Sequence, residues 1–151
     1  MNARRIAIGD QHPGTYRALL SLSSEAEKGA AAAGLDPILV ELIRIRASQI
    51  NGCAFCLRAH TQDAIAKGAD PDRIAVLPAW GEVDFFSEIE RAALGLTEAI
   101  TLVSHGHVDD DAYRAAAAIL TPLQLSAVAW LATAMNALNR VAITSRYRVG
   151  E

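Results

Sequence analysis

A chain of 151 residues fits one domain and leaves little for a second core. With 52% hydrophobic residues it can bury a core, which excludes a disordered chain; with 5% aromatics it suits close-packed helices better than a β-sandwich. The net charge of −3, with no basic stripe beyond Arg44, Arg46, Arg146 and Arg148, argues against nucleic acid as a partner.

Met1 to Asp10 carries arginines but no apolar run, so no signal peptide is expected. A first helix runs from roughly Thr15 to Ala33, with Tyr16, Leu19, Leu20 and Ala26 at helical spacing and Gly34 closing it. Asp36-Pro37 supplies a cap and a first-turn proline for the second, which Ile38, Leu42 and Ile45 stripe and Asn51-Gly52 stops. The third starts near Cys53 and runs to about Lys67-Gly68, and Asp70-Pro71 opens a short fourth ending before Pro78. Residues 79–86 read as an irregular connection. Ser87 with Glu90 is a capping box for a fifth helix through Leu102. Asp109 to Asp111 place negative charge at the start of a sixth, and Thr121-Pro122 with Gln124 opens a seventh ending near Thr144. The expectation is an all-α bundle of about seven helices with no sheet, one domain over residues 1–151. Leu123 to Val141, the most apolar stretch, is interrupted by Gln124, Asn136, Asn139 and Arg140 and falls short of the roughly 20 apolar residues that span a bilayer. No membrane contact and a cytoplasmic location are therefore expected. In a reducing compartment, two cysteines three apart point to redox or metal chemistry rather than a structural staple.

The segment from Cys53 to His60 is the most informative. Separations of three and then four place Cys53, Cys56 and His60 on one helix face. If the helix begins just after Gly52, both sulfurs sit in its first turn, where free N–H groups and the positive dipole end favour thiolate. His60, one turn beyond Cys56, can take or relay a proton. Glu41 lies on the preceding helix, about three turns before its end. A reversal at Asn51-Gly52 brings its carboxylate alongside, to orient His60 directly or through water, or to activate Cys53.

Blander readings stand beside this one. Two cysteines and His60 form a zinc site only with a fourth ligand from Glu41, His105 or His107. The cysteines alone also pack as small hydrophobes, and Glu41 alone reads as a solvated helix charge. The joint spacing favours thiol chemistry with no metal and no cofactor.

The pattern Glu41, eleven residues, Cys53-x-x-Cys56, three residues, His60 resembles the core motif of AhpD-like alkylhydroperoxidases, within the wider carboxymuconolactone decarboxylase family. The core of the likeness spans about residues 37–68. Leu77-Pro78-Ala79-Trp80, Phe86-Ser87-Glu88, Glu90 to Leu94 and Asn136 to Arg140 extend it over most of the chain. The resemblance implies an all-helical fold, a homo-oligomer built as a trimer or hexamer, and reduction of organic hydroperoxides. By position, Cys56 is implied as the peroxidatic sulfur, Cys53 as the resolving one, and Glu41 and His60 as a proton relay. A dithiol such as a lipoylated protein is the implied reductant. A general disulfide reductase or redox sensor is the alternative for the same pair. The well-studied peroxidase members carry a histidine just before the second cysteine, where this chain has Phe55. Decarboxylase members lack the cysteine pair, which weighs against lactone decarboxylation.

Elsewhere, His105-Gly106-His107 reads as a solvated loop between helices. Trp80 and Trp130 read as core or interface anchors, and Asn136, Asn139 and Arg140 as buried hydrogen-bonding groups in the apolar last helix.

Overall fold

The computed structural model describes residues 4–150. Among them there is no strand. The helices are α1 (Ile8–Gln11), α2 (Pro13–Ala32), α3 (Pro37–Asn51), α4 (Ala54–Ala66), α5 (Pro71–Val76), α6 (Glu88–Thr101), α7 (Val103–Gly106), α8 (Asp110–Ala117) and α9 (Pro122–Ser145), with a 3₁₀ segment over Leu77–Glu82 between α5 and α6.

Each of the seven expected helices is present, and among the described residues the count of about seven is corrected to nine by two single turns, α1 and α7. Four residues cannot display a helical period, so these turns leave no pattern to read. The first turn of α1 is tied down from far along the chain: the Ile8 N–H donates to Ser145 Oγ at 3.1 Å. The stretch read as irregular opens inside the 3₁₀ segment, whose backbone is kinked at Ala79 (φ −120°, ψ 32°), and continues as bends after Glu82.

The start signals act as the sequence implied. Asp36 accepts from the Ile38 N–H ahead of Pro37, and Asp109 accepts from the Ala112 N–H. Ser87 with Glu90 and Thr121 with Gln124 both form reciprocal capping boxes. Such caps each contribute about 1 kcal/mol.

Helix α3 is the axis of the bundle, packed by α4, α6 and α9. Of its 15 residues nine are buried, so its polar members Glu41, Arg44 and Ser48 are taken inside with Leu39, Leu42, Ile43 and Ile45. Each of those four aliphatic side chains contributes about 1.5–3 kcal/mol by leaving water. One apolar cluster joins α2, α3, α6, α8 and α9, and a second joins α3 to α4, the 3₁₀ segment and α6 through Leu42, Ala64, Leu77 and Leu94. A third cluster contains both cysteines with Ala47, Met135 and Ala142. No helix among the described residues is long and apolar enough to cross a membrane.

Candidate functional site

The site is set by how α3 ends. Gly52 adopts φ 68°, ψ 36°, a left-handed conformation that only glycine takes without strain, and the Cys53 N–H turns back to the Ser48 carbonyl at 3.0 Å. The chain reverses in one residue, and Cys53 becomes the N-cap of α4. Its sulfur accepts from the Cys56 N–H at 3.4 Å. The two sulfurs approach to 2.7 Å, both buried.

The reversal also lays α4 antiparallel to α3. Glu41 stands about three turns before Gly52 and His60 about two turns after it, so the two meet. His60 Nδ1 lies 2.8 Å from Glu41 Oε2. Glu41 is 1% exposed, and its other oxygen accepts from Arg44 Nη1 at 3.0 Å and Lys67 Nζ at 2.7 Å. Arg44 continues to Glu27 on α2, at 2.9 Å. Burial alone pushes the Glu41 carboxyl up. The hydrogen bonds from His60 and Lys67 and the Arg44 charge outweigh it and hold the group at about 2, well below the usual carboxylate range. A solvated helix charge is thus ruled out for Glu41.

The sulfurs have a different environment. Burial pushes the Cys56 thiol up, the neighbouring Cys53 sulfur pushes it further, and the Asn139 amide opposes both only in part, leaving it at about 12. This corrects the expectation that the helix start favours thiolate at Cys56. The packing around it, from Ala47, Met135 and Ala142, withholds solvent from a negative sulfur, and that cost exceeds the gain from the first turn of α4.

The structure therefore gathers the four expected residues as two adjacent pairs, Glu41 with His60 and Cys53 with Cys56, on the facing helices α3 and α4. Among the described residues no hydrogen bond joins His60 to either sulfur. A polar ladder links α3 to α9 beside the sulfurs. Asn51 Nδ2 donates to Asn136 Oδ1 at 2.9 Å and to Asn139 Oδ1 at 3.0 Å, and Asn139 Nδ2 donates to Ser48 Oγ at 3.0 Å. Asn139 is fully buried and Asn136 partly so, but Arg140 is exposed and only reaches back to Asn136, which corrects its reading as a buried group. Phe55 is 42% exposed and packs edge-on against Tyr147, ring centroids 5.1 Å apart.

Sequence reasoning missed Arg44, Lys67, Glu27 and Ser48. Arg44, three residues after Glu41, carried a usable spacing signal. Lys67 and Glu27 lie 26 and 14 positions from Glu41 and reach the site only through packing.

His105 and His107 are exposed, with His105 in α7 and His107 just beyond it at φ 56°, and neither approaches the cysteines or Glu41 closely enough to share a metal. The carboxylates of Glu41 and Asp63 and the His60 ring do converge within ligand distance of one another. Arg44 and Lys67 already occupy the Glu41 oxygen that does not face His60, and their charge repels a cation. Trp80 is half-buried with its indole N–H on Glu98 at 2.7 Å, whereas Trp130 is 52% exposed and is no core residue.

Residues 13–99 match the sequence profile of the Carboxymuconolactone decarboxylase family. The chain belongs to that family. It is similar to the uncharacterized protein YdfG of Bacillus subtilis (strain 168), 37% identical over 124 residues, 82% of this chain and 84% of the relative. It is also similar to the crystal structure of a protein of unknown function from Agrobacterium tumefaciens, described as a candidate antioxidant defence protein AhpD. The TM-score is 0.87 and the identity 29%, over 99% of each chain. This carboxymuconolactone decarboxylase family member is thus of the AhpD-like kind, all-helical and bearing a vicinal cysteine pair. That kinship suggests an enzyme with an antioxidant role.

Proposed function

We propose that this protein is a thiol peroxidase that reduces organic hydroperoxides through a Cys53–Cys56 dithiol/disulfide cycle. The observation that carries the reading is the 2.7 Å approach of two buried sulfurs on the opening turn of α4, on the helix face that also bears His60. Cys56, as thiolate, attacks the terminal peroxide oxygen; the O–O bond breaks, the alkoxide takes a proton, and Cys56 becomes a sulfenic acid. Cys53 then attacks Cys56 Sγ, and hydroxide leaves as water. A dithiol donor, such as a lipoyl group on a protein, returns the disulfide to two thiols. Two protein thiols and one hydroperoxide give one disulfide, one alcohol and one water.

Glu41 and His60 serve as the proton relay. The ionised Glu41 fixes the ring through Nδ1, leaving Nε2 to exchange protons with the sulfur and the leaving oxygen through an intervening water. The reading extends to a homo-oligomer, trimer or hexamer, for which the 52% exposed Trp130 is a natural contact. The test is hydroperoxide consumption with a dithiol donor. It should vanish in Cys56→Ser and fall strongly in Cys53→Ser under single-donor turnover; undiminished consumption in Cys56→Ser refutes the cycle.

The raised Cys56 thiol slows the peroxide step, and a second reading leaves that step out, with Cys53 as the exchanging sulfur. In this reading the pair is a disulfide reductase or redox sensor, exchanging with other disulfides without fast peroxide turnover. Phe55, where peroxidase members have histidine, points the same way. Rapid exchange with a model disulfide combined with slow peroxide reaction identifies it.

A further inference from the structure

Two hydroxyls fix the direction of the polar ladder between α3, α6 and α9. The Ser48 Oγ proton is spent on the Arg44 carbonyl at 2.7 Å, and the Thr101 Oγ1 proton on the Thr97 carbonyl at 2.7 Å. Each oxygen can then only accept, so an amide N–H must face it. Asn139 Nδ2 faces Ser48 at 3.0 Å, and Asn136 Nδ2 faces Thr101 at 3.1 Å. The carbonyl ends of both amides consequently turn to Asn51, whose Nδ2 donates to Asn139 at 3.0 Å and to Asn136 at 2.9 Å. Backbone carbonyls at the two ends thus dictate which way the Asn139 amide points. A carboxamide has two N–H donors, and Ser48 takes one. The other serves the cysteines. Asn139, fully buried, stands on α9 four residues after Met135 and three before Ala142, and both of those pack with Cys53 and Cys56 in one buried cluster. Cys56 receives a hydrogen bond from the Asn139 amide.

We infer that Asn139 is a further catalytic residue of this site, an uncharged donor that meets the Cys56 sulfur and stabilises it whenever it is anionic, with Asn51 and Ser48 as its positioning residues. The inference rests on the dithiol/disulfide cycle proposed above, in which Cys56 Sγ bears negative charge twice. It does so first as the thiolate that attacks peroxide. It does so again when the disulfide is opened at Cys53: the incoming thiolate bonds to Cys53 Sγ, and the electron pair of the Cys53–Cys56 bond stays on Cys56 Sγ until a proton arrives. A neutral amide suits a buried sulfur, because it donates without the desolvation cost that a cation would carry there.

The test starts from Cys53→Ala, in which Cys56 is the single thiol and the titratable neighbour that pushes it up is gone. Thiolate is read from its ultraviolet absorbance against pH, which needs no reagent to enter the core. The signal is taken as the difference from protein also carrying Cys56→Ser, so that the tyrosines cancel. Adding Asn139→Leu, which keeps the bulk and removes the donor, should raise the inflection by about one pH unit, or tenfold less thiolate at a fixed pH. Adding Asn51→Leu instead leaves Asn139 in place but frees its carbonyl end to turn, and should raise the inflection by less. Asn51 is only partly buried at the end of α3, so this variant carries the test if Asn139→Leu does not fold. Thr121→Ala weakens the α9 cap about five turns before Asn139; it reports lost stability alone and should leave the inflection in place. An inflection that fails to rise in either asparagine variant, or that rises equally in Thr121→Ala, overturns the inference. In protein with both cysteines, Asn139→Leu should also slow the reaction with hydroperoxide about threefold, since tenfold less thiolate is offset about threefold by the greater nucleophilicity of a more basic sulfur. Protein that consumes no hydroperoxide sinks the peroxidase reading instead, and the ultraviolet titration still decides the role of Asn139.

Discussion

Replacing Glu41 by glutamine tests the charge cluster at the heart of the site. The carboxyl titrates at about 2 when folded against 4.5 as an ordinary group, so between those values the unfolded chain binds a proton that the folded one refuses. For an acid held low in this way, the stabilisation is complete above pH 4.5 and disappears as pH falls towards 2. The depression corresponds to about 3 kcal/mol. Glutamine keeps the shape but not the charge, and leaves the buried Arg44 and the Lys67 ammonium facing a neutral amide. The cost at neutral pH should be similar, about 3 kcal/mol, at the lower end of what breaking a buried ion pair costs. Urea unfolding of both proteins, followed by far-ultraviolet circular dichroism at fixed ionic strength from pH 7 to pH 2.5, measures the difference. Every other carboxylate is common to the two, so their titration cancels. A gap of about 3 kcal/mol at pH 7 that closes through pH 4 to 2.5 is the expected outcome. A gap that is the same at every pH, or below about 1 kcal/mol at pH 7, refutes the assignment of Glu41 as the ionised hub.

Gly52→Ala forces a side chain into the left-handed turn that delivers Cys53 to the head of α4; chemical denaturation should show a loss of about 1–2 kcal/mol, and a neutral result would mean the reversal has a slack alternative. Asn139→Leu strips the ladder of its central amide and should cost about 1–3 kcal/mol in the same assay. Because the Asn139 amide favours the Cys56 thiolate, that variant should also move the alkylation profile of Cys56 to higher pH; a shift to lower pH contradicts the assigned contact. Cys53→Ala removes a neighbour that pushes the Cys56 thiol up, so iodoacetamide should label Cys56 with an inflection at lower pH than in the unsubstituted protein. Thr121→Ala removes one arm of the α9 capping box and should lower stability by about 1 kcal/mol with no change in thiol chemistry.

Much of the fold was written locally. Asp36-Pro37, Ser87 with Glu90 and Thr121 with Gln124 announce helix starts because their side chains answer N–H groups two or three residues away, and such short-range bonds need no knowledge of the rest of the chain. The same locality made the cysteine pair, its N-terminal position and the phase of His60 readable from spacing. The one-turn helices α1 and α7 escaped because a single turn has no period, and α1 is held by Ser145, 137 positions from Ile8.

What spacing alone determined, then, is which residues share a helix face and where each helix begins. What only the packed molecule decided is their protonation and their company. Glu41 is an ionised hub because α2 and the end of α4 bring Arg44's second partner and Lys67 to it, and a buried carboxylate is tolerable only when several donors meet it at once. Cys56 is held as a thiol because α3 and α9 close over it, and exclusion of water disfavours a charged sulfur more than the start of α4 favours it. Solvent exposure and charge balance are sums over all neighbours, and no local stretch of sequence contains that sum.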